Sequence, residues 1–313
     1  MKTSILSALV LGCLLNLSLN SCKKLQSAAP GGASNGTNNG NNNGNNNGSN
    51  AAAVNPVTAT TICNYTFNDT TLTNHAWTKA FDDSFTGDLS KWHAYTGGEA
   101  NEVMCYEPAN AKIVNSELQI AAIKENVTGP ATIGGSTQQN FSYTSAAIVS
   151  NQQFSANTST PKVMIVAKVQ IAAGYGLTSL FNSYGQNWPT NGQINFFQVE
   201  GNFPKVIATN YYYGSQPTVN TVVGGFQYNP TDADLSSCYH VYMTEWSQST
   251  IKYYLDGKLI ETKSGADVAQ LFNKQQVLSL SLPIGGLYYD NFVPANIQVG
   301  TMHVSYVKVF TSN

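Results

Sequence analysis

Charge is the scarcest thing in this chain. Asp, Glu, Lys and Arg make up 10% of its 313 residues, against roughly 25% in an average globular protein. The formal net charge is −2, and no block of like charge occurs. That argues against nucleic acid as a partner and against an anionic membrane surface, since both need clustered basic residues. Histidine is rare, with 4 residues, and the 5 cysteines show no Cys-x-x-Cys spacing. No metal site and no cofactor is expected. The one long apolar stretch, residues 5–19, is too short and wrongly flanked to span a membrane. Helical periodicity is confined to residues 267–273, about two turns. What is abundant is aromatic and uncharged: 17 Tyr, 13 Phe and 4 Trp, among many Asn, Ser, Thr and Gln. A surface made polar by amides and hydroxyls suits an extracellular protein that meets neutral ligands such as sugars.

The first residues read as an address. Lys2 precedes the apolar stretch, which ends in Leu19-Asn20-Ser21-Cys22 and resembles a bacterial lipobox. The expectation is a lipoprotein signal peptide over residues 1–21, cleaved before Cys22, whose sulfur is acylated. An ordinary signal peptide with an incidental cysteine is the alternative. Residues 22–60 then form a tether, and positions 30–50 are almost wholly Gly, Asn and Ser. Such a tract cannot bury enough apolar area to offset its chain entropy. The expected setting is a bacterial outer membrane, facing the periplasm or the surface, with contact to the membrane only through the lipid. Three cysteines remain beyond the tether: Cys63, Cys105 and Cys238. One disulfide with one thiol left over fits an oxidising compartment, and the sequence does not select the pair.

Residues 61–313 change to short alternating runs broken by Gly, Asn, Pro and Ser. Residues 162–171 read as a long strand, and 251–260 as a hairpin closed by Asp256-Gly257. Residues 277–284 and 302–310 add two more strands. Many strands at this spacing predict an all-β sandwich of one domain. Its centre is Gly192-Gln193-Ile194-Asn195-Phe196-Phe197-Gln198-Val199-Glu200-Gly201. In an extended chain Gln193 and Asn195 point to one side. Gln198 joins them only if a β-bulge adds a residue between Asn195 and Gln198, and bulges are over-represented beside active sites.

Trp188-Pro189 followed by this strand resembles the signature of glycoside hydrolase family 16, the family of laminarinases, lichenases and agarases. Six further stretches follow the family's order. They are Phe81-Asp82-Asp83-Ser84-Phe85, Asn115-Ser116-Glu117-Leu118, Tyr143-Thr144-Ser145-Ala146, His240-Val241-Tyr242-Met243-Thr244-Glu245-Trp246, residues 280–286 and residues 304–310. The resemblance implies a concanavalin A-like jelly roll, two curved antiparallel sheets with a glycan cleft on the concave face. In that family the central strand reads Glu-x-Asp-x-x-Glu: nucleophile, assisting acid and general acid/base. Here the spacing is kept, and Gln193, Asn195 and Gln198 stand at the three positions. An amide cannot ionise, so it supplies neither a strong nucleophilic oxygen nor a proton for the leaving group.

Other departures accumulate. Residues 176–182 carry no tryptophan, Tyr211 stands for a cleft histidine, and Ser281 for an asparagine of the closing strands. Ser84 and Ser305 replace two ligands of a calcium ion that some members bind. The reading is therefore a lipid-anchored, non-catalytic carbohydrate-binding protein that holds a neutral β-glucan-like polysaccharide. It would work as a monomer beside glycan-processing enzymes or transporters. Candidate sugar contacts are Trp188, Gln193, Asn195, Gln198, Tyr211, Asn101 and Tyr288, with Tyr212, Tyr213 and Tyr289 as further aromatic candidates. Trp92 and Trp246 are assigned to the core. One alternative is an active endo-acting glycoside hydrolase with relocated carboxylates, Glu200 with Glu102 first, and Glu99 and Glu107 in the same loop. The other is a structural surface module without a sugar ligand.

Overall fold

A computed structural model describes residues 57–99, 102–217, 225–286, 289 and 292–312. Two antiparallel sheets make the sandwich, as the resemblance implies. The front sheet has seven strands, in the order Gln227–Pro230, Val206–Tyr212, Gln193–Glu200, Thr178–Tyr184, Gln276–Ser281, Ala147–Phe154 and Trp92–Ala94. The back sheet runs Lys258–Ser264, Thr250–Leu255, His240–Ser247, Lys162–Gln170, Gly300–Ser312, Glu117–Ala122 and Ala111–Val114. Trp77–Asp83 adds an eighth strand by pairing with the far half of Gly300–Ser312.

Alternation builds the core between the sheets. On Lys162–Gln170 the inward residues are Val163, Ile165, Ala167 and Val169, the period of two that a strand imposes. Gly300–Ser312 changes phase at Ser305, which has no partner on the neighbouring strand, so Met302 and Val304 face inward on one side of it and Val307 and Val309 on the other. Trp92 and Trp246 lie in this core, as assigned.

The outward side chains of the back sheet, Met164, Val166, Val241 and Phe310, form a second cluster with Phe67. A strap of residues 57–76 covers them. Its hold begins at Ala59, which pairs with Thr231 in an isolated bridge. A disulfide joins Cys63 to Cys238, with Cα atoms 5.7 Å apart, and Cys105 is the buried free thiol. Asp256 anchors the same strap. Its carboxylate accepts hydrogen bonds from the backbone N–H of Ile62 and of Val241 and is bonded to His240 Nδ1, each at 2.8 Å.

Two expectations about helices need correction. Residues 267–273 do not make two α-turns; one turn forms at Ala266–Ala269. The chain then tightens into i→i+3 bonds at Gln270, Leu271 and Phe272, the geometry used where too few residues follow to repay helix nucleation. A second single turn, Thr70–Thr73, lies in the strap, where Asn68 Oδ1 accepts from the Thr70 N–H. A four-residue turn carries too little periodicity to show in a sequence.

Candidate glycan-binding face

The strand Gln193–Glu200 begins at a place only glycine fits. Gly192 has φ +73°, and a Cβ there would come within 2.3 Å of Leu271 Cδ2. From that start the register runs Gln193 opposite Tyr212, Asn195 opposite Asn210, then Gln198 opposite Ala208. Three residues on this strand thus match two on the next. The strand on the other side slips at the same point, with Phe181 opposite Phe197 and Asn182 opposite Asn195. Phe196 is the extra residue. This is the bulge the spacing predicted, and its consequence is visible on both faces. Phe196 and Phe197 both turn inward, with the Phe181 ring 4.8 and 6.0 Å from theirs. Gln193, Asn195, Gln198 and Glu200 all turn outward.

The amides are bonded in series. Trp188 Nε1 donates to Gln193 Oε1 at 2.9 Å, and Gln193 Nε2 donates to Asn195 Oδ1 at 2.6 Å. Trp188 is half-buried, and its ring lies 6.1 Å from that of Tyr212 at 53°. The neighbouring strand adds Asn182 and Tyr184 to the same face. Asn182 Oδ1 is buried without a hydrogen-bond partner among the described residues, and the Tyr184 hydroxyl bonds to that of Tyr95. Burial pushes the Tyr184 phenol far above its ordinary range, so it stays a neutral donor and acceptor. Sequence reasoning missed Asn182, Tyr184 and Tyr95, because which residues neighbour a strand laterally depends on sheet order.

Gln198 and Glu200 extend this face to a shallow hollow lined by Phe203, Val206, Ala208 and Tyr228. Both are more than nine-tenths buried.

The tyrosine candidates separate. Tyr211 is corrected: it lies in the core between the sheets, since alternation on Val206–Tyr212 turns Ile207 and Tyr211 inward and Ala208, Asn210 and Tyr212 outward. Tyr213 leaves the face to donate to Asp267 Oδ1 at 2.7 Å. Tyr289 is buried and donates to the Leu177 carbonyl at 2.5 Å. Tyr212 is the one that stands beside Trp188. Asn101 and Tyr288 lie outside the described residues, as does Cys22.

The fallback carboxylates sit at one end of the front sheet. Glu102 forms a bridge with Gly285, Gly285 N–H donates to the Gly176 carbonyl, and Gly201 N–H donates to that of Leu177. The main chains at Glu102 and Glu200 are thus three strand spacings apart, about 14 Å. Burial, and then the charge of Glu99 beside it, raises the Glu102 carboxyl well above its ordinary range. Glu107 stands elsewhere, within reach of the Cys105 thiol. Among the described residues no group of three or more His, Cys, Asp or Glu side chains could hold a metal ion.

The comparisons with known proteins agree with this architecture. The model of the family described as glycosyl hydrolases family 16 matches residues 102–291. The chain is 25% identical over 250 residues to the clotting factor G alpha subunit of Tachypleus tridentatus, which covers 75% of this chain and 34% of that one. It is 25% identical over 260 residues to glucan endo-1,3-beta-glucosidase A1 of Niallia circulans, covering 74% and 37%. The aligned part thus spans about a third of the length of these relatives. Among solved structures, the endo-beta-1,3-glucanase from Pyrococcus furiosus matches with a TM-score of 0.64 at 25% identity, over 75% of this chain and 94% of that one. The laminarinase catalytic domain from Thermotoga maritima matches with a TM-score of 0.64 at 20% identity, over 76% and 100%.

Proposed function

The chain belongs to the glycosyl hydrolases of family 16, and from that membership we propose that it holds a neutral β-glucan-like polysaccharide on its front face without cleaving it. The observation that carries this reading is the bonded series Trp188–Gln193–Asn195, with Gln198 brought onto the same face by the bulge. These are the positions at which the resemblance sets the reacting carboxylates. Amides there keep donors and acceptors for sugar hydroxyls and lose the proton transfer and nucleophilic attack that both glycosidase mechanisms require. Trp188 and Tyr212 supply aromatic faces for the C–H side of a pyranose. The choice of a β-glucan leans on the relatives, one of which is named as a glucan endo-1,3-beta-glucosidase.

The address belongs to the same proposal. Lipidation at Cys22 and a Gly/Asn-rich tether would keep the domain at a bacterial outer membrane, within reach of enzymes or transporters that process the glycan. Endo-acting hydrolysis through relocated carboxylates is the second reading. The presence of Glu200 beside Gln198 favours it.

Affinity electrophoresis of the intact protein through laminarin, lichenan, agar and carrageenan, with the same mixtures assayed for new reducing ends, separates the readings. Retardation without new ends is the expected result. New ends that disappear in a Glu200→Gln variant would establish the hydrolase. Neither retardation nor new ends would leave a structural surface module.

A further inference from the structure

Four polar side chains meet between the sheets, where each sheet ends in an edge strand. Gln227–Pro230 closes the front sheet and Lys258–Ser264 the back one. Register decides which residues come together there. Asn229 lies opposite Ile207, Glu261 opposite Tyr253, and Lys263 opposite Ile251. Those three partners belong to the core, and residues directly opposite on paired strands share a face. Asn229, Glu261 and Lys263 therefore point inward. Thr209 does too, two positions along the strand from Ile207.

The Glu261 carboxylate is the centre of the group. Its Oε2 accepts from Asn229 Nδ2 at 2.9 Å and from Thr209 Oγ1. Its Oε1 accepts from Lys263 Nζ. Lys263 Nζ also donates to the Gly225 carbonyl and lies 5.4 Å from the centre of the Tyr253 ring. Water is largely shut out, with Asn229 4% exposed and Lys263 7%. Burial lowers the Lys263 amine from its ordinary range, and Glu261 offsets that only in part. A desolvated lysine gives up its proton more readily than one in water, and the neutral amine is a nucleophile. An ion pair would need only Lys263 and Glu261. Asn229 adds a second chemistry, because one carboxylate now touches both an amine and a primary carboxamide. A proton carrier between two nitrogens has to stand in that place.

We propose that Lys263 and Asn229 are joined by an isopeptide bond, formed within the folded chain with Glu261 as proton carrier, which ties the two sheets together. Lys263 Nζ attacks Asn229 Cγ, a C–N bond forms, and the Cγ–Nδ2 bond breaks. Starting from the lysine ammonium, Nζ loses two protons by way of Glu261. Both pass to the departing nitrogen, which leaves as ammonium, and Glu261 ends as it began. The step is a condensation, so no oxidant or reductant is consumed. Holding amine and carboxamide on one buried carboxylate makes the reaction intramolecular, with the rate advantage that proximity gives. The new amide N–H remains as a donor for Glu261.

The test is peptide mass spectrometry of the parent protein, digested with trypsin under denaturing conditions. The expected result is a branched peptide that unites the segments around Asn229 and Lys263, lighter than their sum by one ammonia, with no cut after Lys263. Linear peptides alone, at full mass and cut after Lys263, overturn the proposal. Glu261→Gln should give the linear peptides. A branched peptide that persists in that variant would overturn the role of Glu261 as carrier. The parent's digest decides the bond by itself if Glu261→Gln fails to fold.

Discussion

The two sheets treat their outer faces in opposite ways. On the back sheet, alternation sends Met164, Val166, Val241 and Phe310 outward, and the chain covers them with its own strap, led by Phe67. On the front sheet, the same alternation sends Gln193, Asn195, Gln198 and Asn182 outward, beside Trp188 and Tyr212. The back face is apolar and fastened by a disulfide, the Asp256 carboxylate and the Asp69 ion pairs with Lys79 and Lys308. On the front face Gln193 bonds both to Trp188 and to Asn195, while Asn182 Oδ1 is buried with no partner among the described residues. Apolar faces need a cover, whereas satisfied amides persist in contact with water. The comparison teaches where stability and recognition reside. Strap contacts should set the first, and front-face side chains the second.

The strongest way to break that division is at the strap. The Cys63–Cys238 bridge closes a loop with a sequence separation of 175. Replacing both cysteines by serine should lower stability by about 4 kcal/mol, from the entropy returned to the unfolded chain. Urea unfolding reads the loss. Laminarin retardation, measured well below the melting temperature, should be unchanged; parallel loss of both would join the two faces. Asp256→Ala comes next, at about 3 kcal/mol, because it orphans the Ile62 and Val241 N–H groups and the His240 contact together. Its unfolding midpoint should fall while front-face binding holds.

On the front face the expected stability effects are smaller. Gln193→Leu removes the acceptor of Trp188 Nε1 and the donor to Asn195 Oδ1, which should cost about 1–2 kcal/mol. Gln193→Glu should cost under about 1 kcal/mol, since a carboxylate still accepts from Trp188 and the Asn195 amide can turn to donate. Equal losses in the two variants would show that the series contributes packing and not hydrogen bonding.

Much of this architecture was legible in the residues. Alternation marked the strands, Asp256-Gly257 marked the hairpin, and the offset between Asn195 and Gln198 required a bulge that the fold contains. Those features are local: each follows from side-chain period or turn geometry within ten residues. What stayed hidden depends on pairing between distant segments. Asp256 reads as a turn residue, and its role as the strap's anchor needs Ile62 brought to it from 194 positions away. Tyr211 and Tyr212 look alike in sequence; register with Gln193 decides that Tyr212 faces out. The Phe203–Tyr228 hollow needs three strands in order before its walls meet. Resemblance named the family and the central strand, and it placed Tyr211 on the wrong face because a family position carries no phase of its own.

The smallest effect sharpens the comparison through its sign. Asp69, in the strap, is lowered: burial pushes its carboxyl up, but Lys308 and Lys79 together outweigh that push. Its stabilisation is present above the ordinary carboxyl range and is lost as pH falls through the lowered value. Glu102, at the end of the front sheet, runs the other way. Burial first, then Glu99, raises it, and its Oε2 is buried with no hydrogen-bond partner among the described residues. Its contribution is fully present below the ordinary carboxyl range, where the group is protonated in both states, and is lost as pH rises through the raised value. Melting temperatures of the parent, Asp69→Asn and Glu102→Gln should therefore be taken across the same acid-to-neutral series and read as differences from the parent, which cancels every other titrating group. Asp69→Asn should be less stable than the parent at neutral pH and approach it in acid. Glu102→Gln should be more stable at neutral pH, by on the order of 1 kcal/mol, and lose that advantage near the ordinary carboxyl range. Two difference curves that slope the same way would mean that the Glu102 carboxyl is paired and ionised in the folded protein. The front sheet would then be fastened at its end by charge, as the back one is.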